Sequence, residues 1–274
     1  MNKKVIIILC VALIVVGIVI GAFFGFVKPL NDAKAEYEKI TAPIVEKNKT
    51  LDSVISKLQG LIDSDEKPVD ETLIETSKEA IKEAQANKIV LEPLSNDKEE
   101  IKNKTEELRN VTVDYSEYLV KLEDEINKLS KSIEIYKKFM NPTSEFIINK
   151  LATVDEVVNS EAVTEDNDPN GQLNKAGGYT ATIYFESSNV NQSNVYSDDN
   201  SIISKGTDAG GSIEVYGTED DAKRRENYLA AFDGGFLASG SHRVIGTTLI
   251  RTSNKLTASQ QKTLEAKIIE AMGN

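Results

Sequence analysis

The chain has 274 residues, of which 28% are charged and 6% aromatic, with no Trp and a formal net charge of −12. A single Cys, Cys10, excludes an internal disulfide and a Cys-rich zinc site, and the acidic balance argues against nucleic acid, whose backbone demands Lys/Arg patches. So few aromatics are thin for one large globular core and ordinary for long helices, so one or two domains plus extended structure are expected.

The first element is the run VIIILCVALIVVGIVIGAFFGFV, residues 5–27, which carries no charge. At 1.5 Å per residue a helix of this length reaches about 34 Å, enough for a hydrocarbon core of roughly 30 Å. A cleaved signal peptide has a shorter apolar region, of about 7 to 15 residues, and GAFFGFVKP is a poor cleavage site. Lipidation at Cys10 is disfavoured because no small residue stands just before it. The run therefore reads as an uncleaved, single-pass anchor over residues 1–28. Lys3 and Lys4 precede it and all 44 acids follow it. The positive-inside bias then predicts a cytoplasmic N-terminus and an extracellular C-terminus. Within the anchor, Gly17, Gly21 and Gly25 are spaced by four and share one helix face, as in GxxxG packing. The functional reading is self-association into a homo-oligomer; the ordinary one is that Gly is frequent in membrane helices.

Residues 29–141 predict a helical stalk built on heptads. Tyr37, Ile40, Ile44, Leu51, Val54, Leu58 and Leu61 form a first stripe, interrupted by Lys47, and Pro43 is a candidate kink. A weaker helix over roughly 70–91 carries Leu73, Ile74, Ile81, Ala84 and Leu91. The third runs from Ile101 through Thr105, Leu108, Thr112, Tyr115, Leu119, Leu122, Ile126, Leu129, Ile133 and Tyr136 to Met140. Its alternating steps of four and three keep one seam facing a partner. Asn96 with Glu99 offers a capping box for this helix. The breaks SDEKPVD and LEPLSND let the chain reverse, so an antiparallel helical coiled-coil stalk is expected, as a helical hairpin or a slender three-helix bundle. Its stripes hold its own helices together, and its outward role is reach.

Residues 142–274 predict a C-terminal module. PTSEFIINKLATVDEVV reads as a helix. Period-two patterning marks EAVTE, YTATIYFES, GSIEVYG and SHRVIGTTLIRTS as strands. TEDDAKRRENYLAAF and TASQQKTLEAKIIEAM read as helices, capped by Thr218 and by a Thr257–Gln260 capping box. The order α-β-β-β-α-β-α predicts an α+β sandwich, with helices against one face of a mainly antiparallel sheet.

Between the first two strands lies DNDPNG, residues 166–171. Asp166, Asp168 and Asn170 place oxygens at alternate positions before Gly171, as calcium loops do, but the twelfth position is Gly177 rather than a bidentate Glu. The same residues build ordinary turns. A structural turn is expected, with a weak calcium site as the rival reading and no other cofactor. No catalytic constellation is visible. The one His, His242, sits in a strand pattern near Ser239 and Ser241, with no orienting acid marked. Lys223, Arg224 and Arg225 read as a solvated helix face rather than an anion site.

The strings VTEDNDPNGQLNKAGGYTATIYF, GGSIEVY, DAKRRENYL, GSHRVIGTTLIRTS and LTASQQ resemble a module of membrane-anchored or lipoprotein-like surface proteins of Gram-positive bacteria. Their function is unknown, and some are described as Ebh-like, extracellular-matrix-binding. The resemblance covers about residues 145–272. It implies an envelope location and a non-enzymatic role, and it carries over no catalytic residue. The expectation is a membrane-bound, cell-surface protein that binds an envelope, matrix or protein partner through its module, as an adhesin. The alternative is a sensor or accessory protein whose module binds a small ligand or peptide.

Overall fold

The computed structural model describes residues 3–235 and 240–274, with side chains from residue 12 onward. The chain is a mixture of helices and one antiparallel sheet, and it divides into two compact units. The first comprises residues 1–64 and 74–127, the second residues 65–73 and 128–274.

The N-terminal helix α1, Lys3–Ala22, continues through a π-helical turn, Phe23–Val27, into α2, Lys28–Ile62. The Lys28 N–H bonds to the Phe23 carbonyl and closes the wider turn. From residue 12 to 27 every side chain is exposed, Phe26 by 80%. A helix that is apolar all round and packed against no protein wants a non-aqueous partner. The span is long and apolar enough to cross a membrane, a property shared by anchors and signal sequences. At Gly17, Gly21 and Gly25 a Cβ would meet nothing within 4 Å.

In the first unit, α2 is followed by α3 (Thr72–Ala86), α4 (Lys98–Arg109) and the first half of α5 (Ser116–Lys138). Polar pairs fix their directions. Lys34 donates to Asn96 and Lys47 to the Val113 carbonyl, so residues 96–113 run the same way as α2. Asn48 donates to the Ile89 carbonyl and Lys88 pairs with Asp52, so the chain leaving α3 runs back along α2. Lys121 pairs with Glu83 and Thr76 donates to Glu125, so α5 opposes α3. The path is up, down and up. Leu51 and Leu58 of α2, Ala84 of α3, and Leu122 of α5 are wholly buried. Around Ala33 and Tyr37, Ile101 closes a smaller cluster. α2 continues unbroken through Pro43.

Two local differences from the sequence reading have physical causes. The third helix is not continuous: residues 110–115 are non-helical and separate α4 from α5. Val111, Thr112 and Val113 are three β-branched residues in succession, whose χ1 freedom a helix restricts. Asp114 then accepts the Ser116 N–H at 2.9 Å and starts a new helix. The heptad spacing runs across this break because Tyr115 is buried from the non-helical segment instead. Its hydroxyl accepts the Ile89 N–H and donates to Asn48 Oδ1, both at 2.8 Å. Lys47, the polar gap in the first stripe, serves the break through its bond to Val113. The second difference is the cap of α4. Asp97, not Asn96, accepts from Glu99 N and Glu100 N.

In the second unit α6 (Ser144–Leu151) precedes the strands β1 (Val157–Ala162), β2 (Tyr179–Ser187) and β3 (Gly210–Tyr216). A one-turn helix α7 (Ile202–Lys205) lies between β2 and β3. Then come α8 (Glu219–Ala230), β4 (His242–Ile245), β5 (Thr248–Thr252) and α9 (Ala258–Gly273). The strand order is β1-β2-β3-β5-β4, and every neighbouring pair is antiparallel. Ile183, Phe185, Ile213, Val215 and Ile250 point to one face, where Ile147 and Leu151 of α6 and Leu264, Ile268 and Met272 of α9 cover them. Tyr184, Tyr216 and Leu249 point to the other, against Ile202 and Ile203 of α7 and Ala222 and Leu229 of α8. The expectation of helices against one face is therefore corrected: both faces are covered. All seven residues of β3 are buried, as a central strand clothed on both sides must be.

The expected single strand over SHRVIGTTLIRTS is the hairpin β4–β5. Ile245 pairs with Thr248 across a two-residue turn. Gly246 holds φ at +56, and a Cβ there would stand 2.7 Å from Met140 Sδ. A type II′ hairpin turn reserves its first position for Gly. Thr257 and Gln260 form the capping box of α9, and Thr218 caps α8.

A candidate ligand cleft on the sheet

A cleft of about 400 Å³ opens in the second unit between the segment 170–178 and α8, with Tyr179 and Tyr216 among its lining residues. The loop wall is built by Asp168. Its Oδ1 accepts the Asn170 N–H at 3.0 Å and the Tyr179 hydroxyl; its Oδ2 accepts Gln172 N at 2.6 Å and Leu173 N at 2.8 Å. Burial would raise the Asp168 carboxyl, but the bonds from Tyr179 and three backbone donors hold it below the usual range. The same arrangement pushes the Tyr179 hydroxyl up, through burial first and the Asp168 carboxylate second. Gly171 and Asn174 turn the chain with φ of +61 and +59, and buried Leu173 anchors it. At Gly178 a Cβ would collide with the Gln172 carbonyl, so the loop closes only on Gly.

The helical wall follows from spacing. Asp221, Arg224, Arg225 and Tyr228 stand at i, i+3, i+4 and i+7 of α8 and share one face. Ala222 and Leu229 turn the other way, into the core. Arg224 pairs with Asp221. The Arg225 guanidinium lies 5.4 Å from the Tyr228 ring centre, and Tyr228 meets Phe232 edge-on at 5.2 Å.

Beneath the cleft lies a buried charge cluster. Glu214 of β3 is 1% exposed, yet it accepts Arg251 Nη1 at 2.8 Å, Arg225 Nε at 3.2 Å and the Tyr216 hydroxyl at 2.6 Å. The sheet register makes this possible: Ser212 faces Arg251 and Glu214 faces Leu249, so Glu214 and Arg251 are diagonal neighbours on one face. Burial pushes the Glu214 carboxyl up, and the positive charges of Arg251 and Arg225 outweigh it, leaving the carboxyl below its ordinary range. The Tyr216 hydroxyl is raised by burial and by the Glu214 charge. A buried carboxylate shared by two guanidiniums ties β3, β5 and α8 together.

The sequence-derived candidates distribute unevenly around this site. Asp168 and Asn170 come together in the loop wall, where Asn170 Nδ2 also lies 3.4 Å from the Tyr179 and Tyr184 hydroxyls. Asp166 is exposed on the same loop. Among the described residues no group of three His, Cys, Asp or Glu side chains is placed to hold a metal ion. The Lys223–Arg225 run is not uniformly solvated, because Arg225 reaches down to Glu214. His242 Nε2 lies 3.1 Å from Asp233 Oδ2. Ser241 shares a hydrogen bond with Thr252 at 2.6 Å, and Ser239 lies outside the described residues. Glu214 and Arg251 escaped the sequence reading. Their signal was present as the lone charges inside GSIEVYG and VIGTTLIRT, each on the residue parity of a tyrosine or leucine that faces α8.

Comparison of the chain with protein-family models, with curated proteins and with solved structures yields no match.

Proposed function

We propose that the chain is a bitopic cell-surface protein, N-terminus cytoplasmic and C-terminus extracellular, that carries a non-catalytic binding module on a helical coiled-coil stalk. Its role is adhesion or cell-envelope interaction. The observation that carries this reading is the uncharged, all-round apolar helix that runs without a break into α2. At 1.5 Å per residue the 35 residues of α2 extend about 50 Å, a length that suits a stalk. The basic residues before the apolar run and the acids after it support the orientation. The resemblance of residues 145–272 to modules of Gram-positive surface proteins supports the envelope location. The α+β sandwich of that module supplies the binding surface. Gly17, Gly21 and Gly25, open toward a neighbour, support lateral pairing of anchors.

The test is retention of the full chain, held in lipid nanodiscs, on purified peptidoglycan, on host matrix proteins and on membrane-protein fractions. Saturable binding to one of these is expected, and failure to bind any of them removes the adhesive role. The cleft over Tyr179 and Tyr216 also supports the alternative of a sensor or accessory protein. That reading differs in expecting a soluble small ligand or peptide and no retention on envelope material.

A further inference from the structure

We propose that the cleft between the 170–178 segment and α8 binds a neutral sugar, presented as a free saccharide or as the end of a glycan. The inference rests on the reading of this unit as a binding module, and it names the chemistry of the ligand.

Charge comes first. The charged residues lining the cleft are Asp221, Arg224 and Arg225, and each is already engaged. Arg224 pairs with Asp221, and Arg225 pairs with Glu214. Each guanidinium already has a carboxylate beside it, which offsets part of its charge and weakens its pull on an added anion. The first turn of α8 holds Glu219, Asp220 and Asp221, so the positive end of its dipole is already answered by acids. Both facts disfavour phosphate or carboxylate ligands. An extended peptide is disfavoured by position. Peptides add to sheets at an open edge, whereas Tyr179 and Tyr216 belong to β2 and β3, which lie inside the strand order.

What the cleft offers instead is planar polar groups beside an aromatic surface. Asn170 and Gln172 line the cleft, and their amides supply both donors and acceptors, suited to sugar hydroxyls. The Tyr228 ring is 57% exposed, and Arg225 and Phe232 hold it in place. A tyrosine fixed in this way offers an amphipathic contact surface at low entropy cost. The C–H face of a pyranose fits against it by weak C–H to π contact. The volume of about 400 Å³ lies toward the small end of ligand sites, which run from about 300 to 1,000 Å³.

The test uses the full chain in lipid nanodiscs and two neutral disaccharides, maltose and N,N′-diacetylchitobiose. Digalacturonic acid, inorganic phosphate and an uncharged tripeptide are the controls. Binding is read by saturation-transfer NMR and by titration calorimetry. At least one neutral disaccharide is expected to bind saturably and more tightly than every control. Tyr228→Ala is expected to weaken that binding about tenfold or more, while Tyr196→Ala, at an exposed tyrosine that does not line the cleft, leaves it unchanged. If Tyr228→Ala lowers the melting temperature, Tyr228→Leu keeps the apolar bulk without the ring and is expected to show the same loss. Absence of saturable binding to either disaccharide overturns the proposal. So does preference for an anion or the peptide, or binding that survives both Tyr228 variants. Retention on envelope material without disaccharide binding would defeat the sugar assignment alone. Disaccharide binding without such retention would defeat the adhesive role and leave the site standing.

Discussion

Glu214 is a residue on which the sheet unit depends, because removing one partner from a buried ion cluster leaves the other charges uncompensated. Loss of its carboxylate in Glu214→Ala is expected to cost about 3 to 5 kcal/mol. For a unit of this size that lowers the melting temperature by on the order of 10 °C, read from tyrosine near-UV dichroism. The pH dependence has a definite sign. The folded carboxyl lies below its ordinary value, so its contribution is fully present above the unfolded value of about 4.3 and is lost as pH falls through the folded one. Acidification below about pH 4.3 should therefore destabilise the native protein more steeply than Glu214→Gln, with Asp168 supplying part of the remaining slope by the same sign. Equal slopes would show that the cluster is not ionised as described. Gly178 gives a second test at this scale. Gly178→Ala must push the Gln172 carbonyl away, and overpacking of this kind costs about 1 to 3 kcal/mol. Gly217→Ala meets nothing and should change stability far less.

At the scale of elements, the helices show which signals were legible. The heptad spacing correctly marked Leu122, Ile126, Leu129 and Ile133 as buried. It failed at residues 110–115, because a period counts apolar positions and does not register a run of β-branched residues that opposes the helix. Leu122→Ala and Ile126→Ala should each cost about 2 to 5 kcal/mol. Substitution of exposed Lys121 and Asp124 should stay within about 0.5 kcal/mol. Similar losses in both sets would contradict the packing of α5. The DNDPNG loop was legible as a turn rich in oxygens, but its place beside a cleft was not, since α8 closes that cleft from about 50 residues away. With both Asp168 oxygens accepting protein donors, about 10 mM calcium should leave the melting temperature where equal magnesium leaves it. A site filled tenfold over its Kd would instead add about 1.4 kcal/mol. A calcium-specific rise that vanishes in an Asp166→Ala, Asp168→Ala double variant would make the loop a metal site.

Across the whole molecule, most of the features recovered were written in local sequence, namely the uncharged run, much of the stripes and the caps at Thr218 and Thr257, although the local signals at Asp97 and at residues 110–115 were missed. Those that depend on register were not. Two-sided burial of β3 follows from its neighbours, not from its own seven residues. The Glu214–Arg251 pair exists only because β3 and β5 align as they do. The hairpin at Gly246 was hidden because Gly-Thr is a weak turn signal between the short apolar pairs Val244–Ile245 and Leu249–Ile250, which read together as one strand.

The central claim, that everything after the apolar helix lies outside the cell while the helix stays in the membrane, is tested most directly by site-specific labelling. Cys10 is the chain's only cysteine, so a Cys10→Ser, Tyr196→Cys variant carries a single thiol at a position whose native side chain is 83% exposed. A membrane-impermeant maleimide added to intact cells should label that thiol, and the labelled chain should sediment with membranes. Labelling that requires lysis, or labelled chain recovered only from the medium, would contradict the account.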